Sequence, residues 1–250
     1  MSSSADASDS TAPQLPLVDV TLQVFSRVPV AGRVKTRLIE RLGPTAVARL
    51  HAVLAERAIA SAGQLQAGAP GLLADAVPPR GPVRVRLELW LDGDLQHEWV
   101  TRQRAAVPSL RVYQQVDGDL GQRMHVALTH ACANGFGILV GTDCPGVDAS
   151  YLRQAVQALA DGADVVLGPV EDGGYVLIGL RRPCSALFSD MAWSTDNVFQ
   201  TTWARTQQLQ LQTAVLPQLW DVDRPEDVDR LIELATRLND PALMHALGLR

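Results

Sequence analysis

Apolar positions along this chain follow two rhythms. Short runs rich in β-branched and aliphatic residues predict strands at Val18–Ser26, Val83–Leu91, Leu110–Gln114, Phe136–Gly141, Asp164–Pro169 and Tyr175–Leu180, with a last one near Leu211–Leu216. Between them, apolar residues at helical spacing predict helices at Pro44–Gln66, Leu120–Asn134, Ala149–Ala160, Thr195–Gln208 and Pro225–Leu238. Several of these open on the Asp, Thr or Pro expected at helix N-termini. The alternation of the two patterns favours a mostly parallel sheet with helices on both faces. Ligands of such sheets bind at the carboxyl ends of the strands, so the loops that follow strands are the informative ones. Ala67–Pro82, dense in Gly, Pro and Ala, reads as a surface linker.

A chain of 250 residues that is 47% hydrophobic suits one α/β domain with a substantial core, spanning residues 18–250. Residues 1–17 are rich in Ser, Ala, Asp and Pro and bury too little apolar surface to offset ordering entropy, which predicts a disordered tail. The tail lacks the apolar stretch of a secretory signal. No run approaches the length of a membrane span, so no membrane partner is expected. A net charge of -5 argues against nucleic acid as a partner, because that needs a basic surface. Cys132, Cys144 and Cys184 are odd in number and far apart, without a C-x-x-C pair, which fits reduced thiols and a cytoplasmic location.

Positive charge is concentrated instead. Lys35 is the only lysine, and it lies among Arg27, Arg33 and Arg37 in the loop after the first predicted strand. A lysine ammonium is a mobile point charge, whereas arginine offers a planar fork; both suit phosphate oxygens. The segment is not a P-loop, since the required glycines are missing before Lys35. A solvated basic face is the plainer alternative.

Carboxylates recur at three other predicted strand ends. Thr142-Asp143-Cys144-Pro145-Gly146 follows the run Gly137–Gly141, Glu171-Asp172-Gly173-Gly174 follows the next strand, and Asp221-Val222-Asp223 precedes Pro225. Magnesium and manganese take oxygen ligands, often one or two carboxylates plus substrate phosphates, so Asp143 is a candidate ligand for Mg2+ or Mn2+. Each of Asp143, Asp221 and Asp223 can equally cap the helix that follows it. In the loop Gln115–Met124, Gln115 or Asp117 could reach a base or ribose and Arg123 a phosphate, while Asp119 caps the helix. Trp193-Ser194-Thr195 could form an acceptor wall, but a buried tryptophan beside an ordinary cap is the simpler reading. The five histidines show no metal-binding spacing and no serine sits in a nucleophile elbow.

These words together carry a resemblance. From about Val20 to Leu231, the segments Gly32-Arg33-Val34-Lys35-Thr36-Arg37-Leu38, Gly118–Met124, Gly141–Gly146, Gly168–Tyr175 and Asp221-Val222-Asp223 resemble the bacterial glycosyltransferase-A-like group. That group is often described as radical-SAM/selenodomain-associated transferases, some of them named arsenosugar-biosynthesis glycosyltransferases. The resemblance implies the nucleotide-diphospho-sugar transferase fold, a three-layer α/β/α sandwich with a mixed, mainly parallel sheet. The Lys35–Leu38 word also looks like that of phospholactate or phosphoenolpyruvate guanylyltransferases. Two departures stand out. The glycine-rich opening of sugar-nucleotide pyrophosphorylases is reduced to Gly32, and the usual metal-binding Asp-x-Asp is Gly141-Thr142-Asp143, which makes Asp223 the expected second ligand.

On this reading the chain is a metal-dependent transferase, moving a glycosyl group from a nucleotide-sugar donor to a small-molecule acceptor. Asp143 and Asp223 hold the metal, Lys35 and Arg37 meet the departing diphosphate, and Asp172 serves as base or sugar-orienting acid. The first alternative is nucleotidyl transfer from a nucleoside triphosphate to a phosphorylated small molecule. The second is a nucleotide-binding regulator without catalysis.

Overall fold

The computed structural model describes residues 17–68 and 82–249. The expected linker therefore falls almost wholly outside the described residues, as does the tail apart from Leu17. Seven strands form one sheet: β1 (Val18–Arg27), β2 (Val83–Asp92), β3 (Arg111–Gln114), β4 (Phe136–Gly141), β5 (Val165–Pro169), β6 (Tyr175–Leu180) and β7 (Thr213–Val215). Their order is β3-β2-β1-β4-β6-β5-β7. The pairs β1–β2, β1–β4, β2–β3 and β5–β7 are parallel, while β6 runs antiparallel to both β4 and β5. Because β6 is reversed, the β5–β6 hairpin turns at the edge where the parallel strands end.

Helices cover both faces. On one face α2 (Pro44–Ala67), which follows the short helix α1 (Ile39–Leu42), and α5 (Ala149–Ala160) pack Ile59, Ala62, Leu152 and Val156 against Leu22, Val24, Leu87 and Ile138. On the other, α4 (Leu120–Cys132) packs Met124, Ala127 and Leu128 against Phe25, Trp90, Leu139 and Ile178, with Phe199 and Trp203 of α6 (Val198–Gln208) at its margin. A third cluster joins the outer side of α2 to α7 (Asp227–Leu238) and α8 (Pro241–Ala246) through Leu50, Leu54, Val228, Leu231 and Leu243. Helix α2 is buried on two sides, which explains its apolar richness, and Pro44 opens it where a missing N–H costs nothing.

All seven predicted strands are present, two predicted helix starts need revision, and α1, α3 (Glu98–Ala106) and α8 were not predicted. Helix α6 starts at Val198 rather than Thr195, because Asp196 and Asn197 remain in the turn before it. Helix α7 starts at Asp227 rather than Pro225, since the Asp227 carboxylate accepts from the backbone N–H groups of Asp223 and Arg224 and holds a turn there. Helix α3 was missed because it buries only Trp99, Val100 and Gln103 and shows little apolar periodicity.

Candidate active site

A cleft of about 1260 Å³ opens along the carboxyl edge of the parallel strands. Its walls come from the loops after β1, β3, β4 and β7, the β5–β6 hairpin, and the segment before α6. The residues that form it are far apart in sequence and meet because the sheet aligns strand ends.

Lys35 is the pivot. Buried Val34 and Leu38 anchor the loop on either side of it. Its backbone is left-handed (φ 42°) at the entry to a 3-10 turn, Thr36–Leu38. A non-glycine residue held there costs on the order of 1 kcal/mol and persists only where its surroundings over-determine it. Here the surroundings are specific: the Lys35 ammonium donates to the Val222 carbonyl at 2.6 Å and pairs with Asp143 Oδ1 at 2.5 Å. The lysine side chain is 4% exposed, while that of Asp143 is 55% exposed, so the carboxylate faces the cleft and the ammonium supports it from below.

The capping alternative fails for all three carboxylates. Asp148, not Asp143, accepts from Tyr151 N–H at the start of α5. At α7 the turn is held by Asp227, which leaves Asp221 and Asp223 free of that duty. Val222 N–H donates to the Asp143 carbonyl, so the backbone itself fixes the two acidic segments side by side. Burial works against the Asp143 charge, but Lys35 first, by charge and hydrogen bond, and then Arg27 outweigh it and hold that carboxyl below its ordinary range. Asp221 has no such support: burial first, then the negative field of Asp172, with Asp143 and Asp223 adding to it, pushes its carboxyl up to about 6 against a favourable backbone hydrogen bond.

The other expected residues divide. Arg37 pairs with Asp223. Arg27 lies 3.6 Å from Asp92, and Arg123 reaches Asp92 at 3.0 Å and the Gly118 carbonyl at 2.9 Å; both arginines line the cleft. Asp119 forms the expected cap, reciprocated by Gln122. Gln115 lines the cleft too, but its amide donates to the carbonyls of Ser26 and Trp90 and braces the strand tips. Asp172 stands on the β5–β6 hairpin, where its Oδ1 accepts from Gly174 N–H. Gly173 (φ +89°) leaves no room for a side chain, since a Cβ there would lie 2.0 Å from the Asp196 carbonyl oxygen. Arg33 and Asp117 are exposed and do not line the cleft.

Two contributors escaped the sequence reading of roles, and a third was read there chiefly as buried. Asp221 was visible as an acid, but its crowding by Asp172 depends on two distant loops. His51, a lone polar residue on the buried side of α2, sits under the strand tips: its Nε2 lies 3.0 Å from the Arg27 carbonyl and 3.2 Å from Ser26 Oγ, which in turn lies 3.3 Å from Thr142 Oγ1. Because the carbonyl can only accept, Nε2 carries the proton, and burial keeps the imidazole below its ordinary pKa and therefore neutral. Trp193 is the third: it lines the cleft, with its indole seated against Gly121 at the start of α4. Cys144 sits beside Asp143, but burial and then Asp221 raise its thiol well above the ordinary range, which disfavours the nucleophilic thiolate.

The donor set fits a hard divalent cation. Carboxylates crowd one another on the cleft floor, which a cation would relieve, and oxygen is the preferred donor of Mg2+ and Mn2+. Among the described residues no group of three or more His, Cys, Asp or Glu is arranged to hold a metal alone. Substrate oxygens would therefore have to complete the shell.

The chain matches the profile of a family described as an uncharacterized protein conserved in bacteria (DUF2064) over residues 80–195. No curated protein matches it. Among solved structures, it is similar to a protein from Desulfovibrio desulfuricans G20 assigned provisionally as a nucleotide-diphospho-sugar transferase, at 26% identity, 89% coverage of each chain and a TM-score of 0.71. It also shares its fold with a CMP:2-keto-3-deoxy-manno-octonic acid synthetase complexed with CTP, at 11% identity, TM-score 0.51 and coverage of 88% of this chain and 99% of that one. The 4-diphosphocytidyl-2C-methyl-D-erythritol synthase of Anaerococcus prevotii DSM 20548 is similar at 8% identity, TM-score 0.51 and 89% and 96% coverage. The fold is that of the nucleotide-diphospho-sugar transferases, in keeping with the glycosyltransferase-A-like group that the sequence motifs resemble.

Proposed function

We propose that the chain is a metal-dependent glycosyltransferase that takes a nucleotide-sugar donor and a small acceptor. The observation that carries this reading is the meeting of the cationic loop with the carboxylates at the strand ends: Lys35 on Asp143, Arg37 on Asp223. That arrangement suits a diphosphate bound between side-chain cations and a metal ion.

Asp143 and Asp223 would hold Mg2+ or Mn2+, which neutralises charge on the diphosphate when bound. Arg37 is exposed and can exchange Asp223 for a phosphate oxygen. Arg27 and Arg123 can add forked contacts on the same side. Lys35 keeps Asp143 ionised and has a third N–H for the leaving group. Charge that develops on the departing diphosphate is stabilised by groups already oriented toward it, which is where electrostatic catalysis gains most. Asp172, across the cleft, takes the acceptor hydroxyl proton or orients that hydroxyl, so that the oxygen and the anomeric carbon meet in reacting geometry.

Calorimetric titration of UDP-, GDP- and CDP-sugars with manganese and in chelator tests the binding half of the reading, and mass spectrometry of the products tests the chemistry. Release of nucleoside diphosphate with a glycosylated acceptor, or slow release of free sugar, is the expected outcome. Pyrophosphate and a nucleotidyl-linked acceptor formed from a triphosphate would replace this reading with nucleotidyl transfer.

A further inference from the structure

The cleft is divided by chemistry. Its lining cations Arg27, Lys35, Arg37 and Arg123 come from the end of β1, the loop after it and the first turn of α4. The wall built by the β5–β6 hairpin and the segment before α6 contributes Asp172, Tyr175, Trp193 and Asp196 and, among the described residues that line it, no cation. Arg224, the remaining lining arginine, follows Asp223, whose carboxylate reaches back to Arg37 on the cationic side.

The aromatic wall is built into the fold. At Gly121 a Cβ would lie 2.6 Å from the Trp193 ring and 2.8 Å from the Phe188 carbonyl oxygen, so the absent side chain is the seat of the indole. At Gly173 the same vacancy receives the backbone of Asp196, and Phe199 N–H donates to the Gly173 carbonyl. Arg205 of α6 gathers the carbonyls of Ala186, Leu187, Ser189 and Asp190 just upstream. The segment that presents Trp193 is thus pinned at three points.

Resting on the transferase reading above, we propose that the acceptor is a polyhydroxylated ring without an anionic group, its apolar face on Trp193 and its hydroxyls toward Asp172 and Asp196. A saturated ring with hydroxyls on its edge has one apolar face, which packs on an aromatic surface, and donors that suit carboxylates. A phosphate or carboxylate on the acceptor would be set against Asp172, Asp196 and Asp221, and like charges across an interface select against a partner. Trp193 is then a specificity-determining residue.

Ligand-observed saturation-transfer NMR on the full chain tests this, with and without UDP and Mg2+, using methyl glucoside, glucosamine, glucose 6-phosphate and glucuronate as probes. Methyl glucoside and glucosamine should bind at least about tenfold more tightly than the two anionic sugars, a difference of about 1.4 kcal/mol. Trp193→Ala should remove methyl glucoside binding, Trp193→Phe should keep part of it, and Gly121→Ala should weaken it by unseating the indole. Equal or tighter binding of glucose 6-phosphate, no binding of any probe, or a Trp193→Phe and Gly121→Ala pair indistinguishable from the wild type would overturn the proposal. Nucleotide affinity is read separately by calorimetry: sugars binding a chain that takes no nucleotide would defeat the transferase reading and leave the ring site standing.

Discussion

The two ends of the sheet use the same residue types to opposite effect. At the amino end, Asp19 of β1 is gripped by Arg84 of β2 through two hydrogen bonds of 2.6 and 2.8 Å, with Arg86 at 3.3 Å. The hydrogen bond from Arg84 chiefly holds the Asp19 carboxyl below its ordinary range. Beside it lies a hollow of about 440 Å³ lined by Arg84, Arg86 and Arg111. At the carboxyl end, three further carboxylates, Asp172, Asp221 and Asp223, converge around the Lys35–Asp143 pair, and one of them, Asp221, is pushed up to about 6. At one end the carboxylate is matched by cations of the fold, and at the other the carboxylates crowd one another and leave part of the account open for a ligand. Mutually repelling carboxylates held together at one edge of a sheet are a physical mark of a candidate functional site.

The largest expected effect breaks the comparison if it fails. Asp143→Ala should weaken divalent-dependent nucleotide binding by roughly tenfold to a hundredfold, as expected for loss of a charged contact of about 1.5–3 kcal/mol. Unchanged calorimetric affinity would reduce the carboxyl end to a structural cluster like the amino end. Lys35→Met should cost about 2–3 kcal/mol of stability by denaturant titration, since it leaves Asp143 and the Val222 carbonyl without their buried donor. Lys35→Arg should recover only part of that loss, because a guanidinium is too broad for a slot in which the side chain is 4% exposed.

Asp221→Asn sharpens the contrast, because it should stabilise the protein. The folded carboxyl titrates near 6, above its ordinary value of 3.8, so the folded state binds this proton more tightly than the unfolded chain. Its cost is therefore absent below the unfolded value, grows as pH rises from there to about 6, and is constant above that. Discounted for solvent screening, the gain from Asn should be about 1–2 kcal/mol at pH 8 and vanish below pH ~4. Thermal melts across that range measure it, and added Mg2+ should narrow the gap. Destabilisation at pH 8 would mean that Asp221 is favourably paired. The smallest effect belongs to the settled end: Asp19→Asn should cost less than about 1 kcal/mol. Here the sign reverses. The folded value lies below the unfolded one, so the Asp19 contribution is complete above the unfolded value and lost as pH falls.

The sheet was legible because strands buried on both faces leave continuous apolar runs, as in Gly137–Gly141. The reversal of β6 was not, since strand direction depends on the hairpin closing at Gly173 and Gly174, and those glycines suit several turns. Helix α3 was lost because three buried side chains make a weak periodic signal. In the candidate site, residue types and strand-end positions were readable, whereas pairings were not. Lys35 was expected to face phosphate, and the structure gives two of its three donors to Val222 and Asp143. Gln115, expected near a base or ribose, has its amide turned to backbone carbonyls. Both outcomes rest on contacts between residues far apart in sequence, 187 positions for Lys35–Val222 and 89 for Gln115–Ser26, which local pattern cannot encode.

The glycine seat under Trp193 has a consequence for the order of events. Gly121 lies in the first turn of α4, two residues after the cap Asp119 and two before Arg123, so the indole rests on the same few residues that face the cationic half of the cleft. A ligand that orders this turn from one side also fixes the wall on the other, and occupancy of the wall must help the first ligand by the same factor. On the proposed reading, the two half-sites would be linked thermodynamically through a single turn of helix. Gly121→Ala would separate them, which makes cooperativity between the two ligands an observable property of one missing methyl group.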